Sequence, residues 1–258
     1  MVQKTEMAVS ANCGYLSAMK GERVLAVIPA RLSAQRFPNK PLHPIAGKTM
    51  IEWVWRAASA AMSVDRVVIA TEDEAIVEAA RSFGGEAVLT ATYDSGSDRV
   101  AAVAADSSAS IILNVQGDEP LLEPAAVDQL VAALERCPWA GVSTLIRRSN
   151  DAASYQDRNI VKAAVSEDHR ALYFSRQPIG ADENGRFWRH VGLYGYRREA
   201  LEAYCRWAPA PWERAEKLEQ LRLLWNGVAM CAMETTMENH SVDVPGDISV
   251  VERRLSAP

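Results

Sequence analysis

From residue 22 onward the apolar positions fall into short solid runs separated by stretches of helical period. Val24-Leu-Ala-Val-Ile-Pro-Ala30 is apolar throughout, which predicts a strand covered on both faces, as in a parallel sheet. Thr49 to Met62 sets Ile51, Val54, Trp55 and Ala58 on one helical face. Arg66 to Thr71 is a second buried strand. Asp73 to Phe83 is a helix with Ile76, Val77 and Ala80 inward, stopped by Gly84-Gly85. A short strand at Glu86 to Leu89 follows, and Ser95-Gly-Ser-Asp-Arg99 opens the next helix. The run Ile111, Ile112, Leu113, Val115 is again a buried strand, ending abruptly in Gln116-Gly-Asp-Glu-Pro120. Strand and helix alternate, which predicts an open α/β sheet with right-handed crossovers.

After Pro124 the rhythm changes. A helix over Ala125 to Arg136 leads to a strand over Gly141 to Ile146. Short strands are expected at Asn159 to Val165, Ala171 to Ser175 and Val191 to Tyr196, separated by polar turns. That spacing predicts antiparallel pairing in a smaller lobe around residues 140–210 of one domain spanning 22–258. Ala215, Leu218, Leu221 and Leu224 predict a helix from Trp212 to Trp225, stopped by Gly227. A strand over Val228 to Glu234 and a helix over Asp247 to Leu255 close the chain. Residues 1–21 lack the pattern of a secretory signal and are expected to form a flexible extension.

Composition narrows the classes of function. With 28 Lys and Arg against 33 Asp and Glu, the net charge of -5 argues against a general nucleic-acid binder. No apolar run reaches membrane-spanning length. Cys13, Cys137, Cys205 and Cys231 form no C-x-x-C pair, so neither a zinc site nor a disulfide framework is expected. Free thiols fit a reducing, cytoplasmic setting.

Candidate chemistry gathers at strand ends. Asp118 sits at the carboxyl end of a predicted parallel strand, where ligands bind in such sheets and where a carboxylate can hold Mg2+ shared with a phosphate. Arg31, Arg36 and Lys40 follow the first strand within a few residues and can cradle a polyphosphate. Taken alone, each stretch reads first as a solvated loop or an acidic turn; together they make a coherent pairing of cations for phosphate and a carboxylate for its metal. Arg99 lies in a first helical turn that Ser95 or Ser97 can cap. His190, Glu219, Gln220 and Asp243 read individually as structural or solvated positions. Ala46-Gly-Lys-Thr49 imitates the tail of a P-loop, but residue 42 is Leu and Pro44 interrupts it, so a plain turn is expected.

Eight stretches in order resemble the 3-deoxy-manno-octulosonate (Kdo) cytidylyltransferase family. They are Ile28-Pro-Ala-Arg31, Arg36-x-Pro-x-Lys-Pro41, Ser95-Gly-Ser-Asp-Arg99, Asn114-Val-Gln-Gly-Asp-Glu-Pro120, Ala171-Leu-Tyr-Phe-Ser-Arg176, Arg189-His-Val-Gly-Leu-Tyr-Gly-Tyr196, Leu218-Glu-Gln-Leu-Arg222 and Val242-Asp-x-Pro245. The resemblance runs from about Val24 to Arg254. It implies a Rossmann-like nucleotidyltransferase fold, a homodimer built through the smaller lobe, and Mg2+ held by Asp118 and Asp243. It implies CTP and Kdo as substrates, CMP-Kdo and pyrophosphate as products, and a place in lipopolysaccharide assembly. By the same resemblance Ala30, Arg31, Arg36, Lys40, Ser95 and Gln116 would meet the nucleotide, and Arg31, Lys40, Asp118 and Asp243 would carry the catalysis. Arg99, Arg176, His190, Tyr194, Glu219 and Gln220 would line the sugar-acid pocket. The chain departs from the family pattern at Ala34 and Asn39, where Ser and Gly are usual. It departs again at Gln177-Pro-Ile-Gly180, at Asn239-His-Ser241 and at Gly246. Two alternatives stay open: a cytidylyltransferase for another ulosonic acid, and a nucleotide-binding regulator without turnover.

Overall fold

The structure, a computed structural model, describes residues 22–33, 36–93, 95–238 and 240–256. The expected extension over 1–21 with Cys13, and the departures at Ala34 and Asn239, lie outside the described residues.

The first half alternates as its pattern predicts. Strand β1 (Val24–Ala30) leads through a tight hairpin, β2 (Pro44–Ile45) and β3 (Lys48–Thr49), into helix α1 (Met50–Ser59). Ala46 and Gly47 make the hairpin tip with φ of 46° and 84°, so the would-be P-loop is a plain turn. Thr49 then caps α1 by accepting from the Glu52 amide. Next come β4 (Arg66–Thr71), α2 (Glu74–Ser82), β5 (Glu86–Leu89), α3 (Gly96–Ala105), β6 (Ile111–Asn114) and α4 (Pro124–Arg136).

The second half holds β7 (Val142–Ser149), α5 (Ala152–Gln156), β8 (Lys162–Val165), β9 (Ala171–Ser175), β10 (Phe187–Arg197) and α6 (Arg198–Arg206). It closes with α7 (Pro211–Glu216), α8 (Gln220–Trp225), β11 (Met230–Glu234) and α9 (Ile248–Leu255).

One nine-stranded sheet runs in the order β11-β7-β10-β6-β1-β4-β5, with β8 beside β10 and β9 beside β8. β1, β4, β5 and β6 are parallel, as is β11 to β7, while β10 runs antiparallel to β6, β7 and β8. The antiparallel strands expected near 140–210 therefore continue the main sheet. The two faces of β1 explain its unbroken apolar run. Ala26 and Ile28 pack toward α1, α2 and α4 beside Ile51, Ile76 and Leu130, whereas Leu25 and Val27 pack toward α3, α6 and α8 beside Val100, Leu201 and Leu221. Each enclosed Ile or Leu contributes about 2 kcal/mol, so this scaffold holds its strand ends firmly. No helix among the described residues is long and apolar enough to cross a membrane.

Two expectations are corrected. The helix expected from Trp212 to Trp225 is broken, because Lys217 turns left-handed at φ 55° and Leu218 N–H returns to the Glu213 carbonyl at 3.3 Å. The break lets Arg222 donate Nε and a terminal nitrogen to Glu213 at 2.8 and 2.6 Å. In an unbroken helix, nine residues apart means opposite faces and about 13 Å of rise, so this pair could not form. The second correction is α6, for which no helix was expected, although Ala200, Leu201 and Tyr204 carry the helical spacing and face the core.

Candidate active site

Two cavities open at the carboxyl ends of β1 and β6 and meet there. The smaller, about 280 Å³, lies against the loop after β1; the larger, about 460 Å³, lies between β10 and the α7–α8 break. Gln116, Asp118 and Asp243 line both.

Backbone packing places the shared carboxylates. Gly117 suits the close approach in the turn after β6, since a Cβ there would lie a tight 3.0 Å from the Pro29 carbonyl oxygen and 3.3 Å from Ile51 Cδ1. The Val242 N–H donates to the Asp118 carbonyl at 2.9 Å, bringing the Asp243 segment to the β6 turn from the far end of the chain. Lys40 Nζ donates to Asp118 Oδ2 at 2.7 Å and to the Val242 carbonyl at 2.8 Å, joining the three segments. Arg36 pairs with Asp243 at 2.9 Å. Asn39 sits before Lys40 in the left-handed region at φ 57°. Asn tolerates that region better than most residues, which accounts for its standing where the family pattern has Gly.

Around the smaller cavity Arg31 is exposed, and Ser95 caps α3 by accepting from the Asp98 amide at 3.1 Å. Gln116 donates to Asn114 Oδ1 at 3.1 Å. Arg99 is buried and donates to the Ala30 carbonyl at 3.2 Å and to Glu72 at 3.0 Å. The structure thus brings Arg99 to the loop-side cavity with Ala30, rather than to the cavity of His190 and Glu219. Arg176 lines neither. Its Nε donates to the Glu216 carbonyl at 3.0 Å and a terminal nitrogen donates to the Arg158 carbonyl at 3.1 Å, tying the end of β9 to α7.

The larger cavity gathers His190, Tyr194, Glu219 and Gln220 from β10 and the α8 start. His190 Nε2 lies 2.9 Å from Thr144 Oγ1, and its ring packs edge-on against Phe174. Desolvation pushes its pKa down to about 3, so it presents a neutral imidazole at ordinary pH. Burial likewise raises the Tyr194 phenol. Glu219 meets water through the cavity mouth but is backed by protein. Desolvation raises its pKa, against the opposing hydrogen bond from Ser97 at 2.8 Å. Gln220 is 5% exposed, and its Nε2 and that of His240 are enclosed with no partner among the described residues. These are donors or acceptors placed for a polar ligand.

No cluster of three or more His, Cys, Asp or Glu side chains suited to a metal occurs among the described residues. Two carboxylates on one cavity still fit Mg2+, which keeps several waters and takes one or two carboxylates together with substrate phosphates.

A profile of the cytidylyltransferase family matches residues 25–235. The chain is 43% identical over 249 residues to a 3-deoxy-manno-octulosonate cytidylyltransferase of Geobacter metallireducens, covering 91% of this chain and 98% of that one. It is 44% identical over 247 residues to a protein of the same name from Myxococcus xanthus, covering 93% and 99%. The chain belongs to the 3-deoxy-manno-octulosonate cytidylyltransferase family. A solved structure of CMP:2-keto-3-deoxy-manno-octonic acid synthetase complexed with CTP superposes with a TM-score of 0.86 at 36% identity, covering 91% of this chain and 99% of that one.

Several groups that build the larger cavity carry little signal in the sequence. Ser97 reads in the sequence as a helix cap, and in the fold it donates to Glu219. Asn114 opens one of the family-like stretches, where nothing marks a role of its own. Arg189 likewise opens a family-like stretch, and a strand-start arginine carries no further signal by itself. The Glu213–Arg222 pair, which holds the α7–α8 break, depends on a turn that helical spacing conceals.

Proposed function

We infer that the protein activates Kdo: CTP and 3-deoxy-D-manno-octulosonate give CMP-Kdo and pyrophosphate. The observation that carries this is the meeting of a cation-lined cavity and a hydroxyl-matching cavity at Gln116, Asp118 and Asp243. Its relatives' names supply the pair of substrates.

The geometry supports the following division of labour. Arg31, Arg36 and Lys40 face the triphosphate, with Arg99 beneath the end of β1. In the free chain Lys40 and Arg36 neutralise Asp118 and Asp243, and nucleotide binding trades those carboxylates for phosphate oxygens. We propose that Asp118 and Asp243 hold Mg2+; once bound it supplies positive charge to the phosphates and the leaving pyrophosphate. In the larger cavity Glu219 accepts from sugar hydroxyls, and Gln220 and His240 offer their unpartnered nitrogens. Neutral His190 bonds without adding charge. The sugar's anomeric oxygen forms the new bond to the α-phosphorus as the bond to the pyrophosphate oxygen breaks. The hydroxyl proton leaves to solvent, and no enzyme-bound intermediate is needed. Because these groups are fixed before substrate arrives, most of the acceleration comes from placement and charge.

The testing experiment is pyrophosphate release by the purified chain with CTP and a panel of sugar acids: Kdo, its amino-substituted analogue and a sialic acid. Kdo should be turned over best, with turnover abolished by excess chelator and restored by Mg2+. Preference for another acid would reassign the substrate, and CTP binding without turnover on any acid would leave a regulator.

The same reading places the protein in the cytoplasm, supplying activated sugar for lipopolysaccharide. It also includes a two-fold dimer. Trp212 and Trp225 are 40% and 48% exposed with rings 4.9 Å apart, and Trp212 packs on Tyr173 of edge strand β9, a grouping suited to burial. Light scattering at micromolar concentration should give twice the chain mass.

A further inference from the structure

A sugar acid brings a carboxylate into a cavity already walled by Asp118, Glu119, Glu219 and Asp243. It needs a cation there. His190 is neutral, Arg99 lies in the other cavity, and Arg176 is tied to Glu216. Among the described residues, the Arg and Lys side chains lining the larger cavity are Arg189 and Lys217.

Arg189 has an unusual setting. On β10 it stands directly opposite Arg147 of β7 on one side and Lys162 of β8 on the other. Directly opposed residues share a face, so three cations lie in a row across three strands. The outer two are compensated. Arg147 pairs with Glu238 at 2.8 Å, and Lys162 Nζ donates to the carbonyls of Asp157, Ile160 and Arg176 at 2.8 to 2.9 Å. The central guanidinium forms no hydrogen bond or ion pair with any described residue, although Asp151, Asp157 and Glu238 lie close enough to attract it. Desolvation, followed by the charge of Arg147, disfavours its protonated form. A half-buried guanidinium beside a like charge, with three carboxylates nearby but none in hydrogen-bonding contact, is costly unless a ligand completes it.

We propose that Arg189 anchors the carboxylate of the sugar acid, an inference that rests on the function proposed above. Its planar fork offers two parallel donors to a carboxylate, which a point charge cannot match. Lys217 is exposed on the left-handed turn and holds no such position.

The test uses the full chain, with pyrophosphate release for turnover and separate equilibrium binding of CTP. Arg189→Gln should raise KM for Kdo roughly ten- to a hundred-fold, as expected on losing hydrogen bonds to a charged group, with CTP affinity within about twofold of wild type. Arg189→Lys should recover part of the loss. Lys217→Ala should leave the KM for Kdo within about twofold. The unfolding midpoint of Arg189→Gln should equal or exceed that of wild type, since repulsion from Arg147 is relieved; a structural role predicts the reverse. An unchanged KM for Kdo in Arg189→Gln, a raised KM in Lys217→Ala instead, or a lowered midpoint with both substrates affected overturns the anchor. If the wild type releases no pyrophosphate with CTP and any sugar acid, the functional reading falls and the anchor with it. Wild-type turnover with an indifferent Arg189→Gln removes the anchor alone.

Discussion

The two cavities share a border but are built on different physics. The loop-side cavity is made of charges that satisfy one another: Lys40 with Asp118, Arg36 with Asp243, Arg99 with Glu72. Most of these groups sit on loops beyond strand ends and reach water. The larger cavity also has acidic walls, but it is lined by neutral or desolvated polar groups from β10, α3 and α8, and Gln220 Nε2 and His240 Nε2 have no partner among the described residues. One site waits to exchange counter-charges, the other to have its hydrogen bonds completed. A phosphate chain is recognised by charge, which tolerates mobile side chains; a polyol is recognised by directed bonds, which need a fixed frame.

The contrast can be broken by substitution. The largest effect is expected at the border. Asp118→Asn should lower turnover by roughly 10²–10³-fold even at saturating Kdo, the scale of losing one electrostatic contact to the reacting centre. A variant with near-normal turnover would remove Asp118 from the chemistry. Next is the frame of the larger cavity. Glu213 and Arg222 are 10% and 8% exposed in their side chains. Glu213→Ala leaves Arg222 enclosed without its carboxylate and should cost about 3 kcal/mol in denaturant unfolding. Arg36→Ala removes a pair exposed at 66% and 46%, and should change stability by less than about 0.5 kcal/mol. Equal effects would show that the two regions do not differ in rigidity.

Gln220→Ala should raise KM for Kdo about tenfold while CTP binding stays unchanged, because one enclosed hydrogen bond is lost on the sugar side. A change in CTP affinity instead would place α8 on the wrong side of the border. The smallest effect concerns pH. His190 titrates near 3 in the folded chain against about 6.5 unfolded, so only the unfolded chain gains a proton between those values. Stability should therefore fall as pH drops below about 6.5, and His190→Gln should flatten that slope between pH 7 and 5 in thermal unfolding. An unaltered slope would mean that water already solvates the ring.

The loop-side cavity was legible from the residues themselves, whereas His190, Tyr194, Glu219 and Gln220 of the larger one were legible only through the family resemblance. Runs such as Val24 to Ala30 announce buried strands, and Arg31, Arg36, Lys40 and Asp118 lie within a few residues of strand ends where ligands gather. Proximity along the chain stands in for proximity in space there, because a loop of ten residues cannot stray far from the strand that launches it. The sequence determined the alternating sheet, the cations of the loop, the carboxylate of the β6 turn and, through ordered motifs, the family. Tertiary structure alone decided the rest. It set the Lys217 turn that breaks the expected helix, because the reward for breaking is a Glu213–Arg222 pair that exists only after the chain folds back. It sent Arg99 to one cavity and left Arg176 outside both. It set Arg189 between Arg147 and Lys162, because register between strands distant in sequence chooses which like charges must face each other.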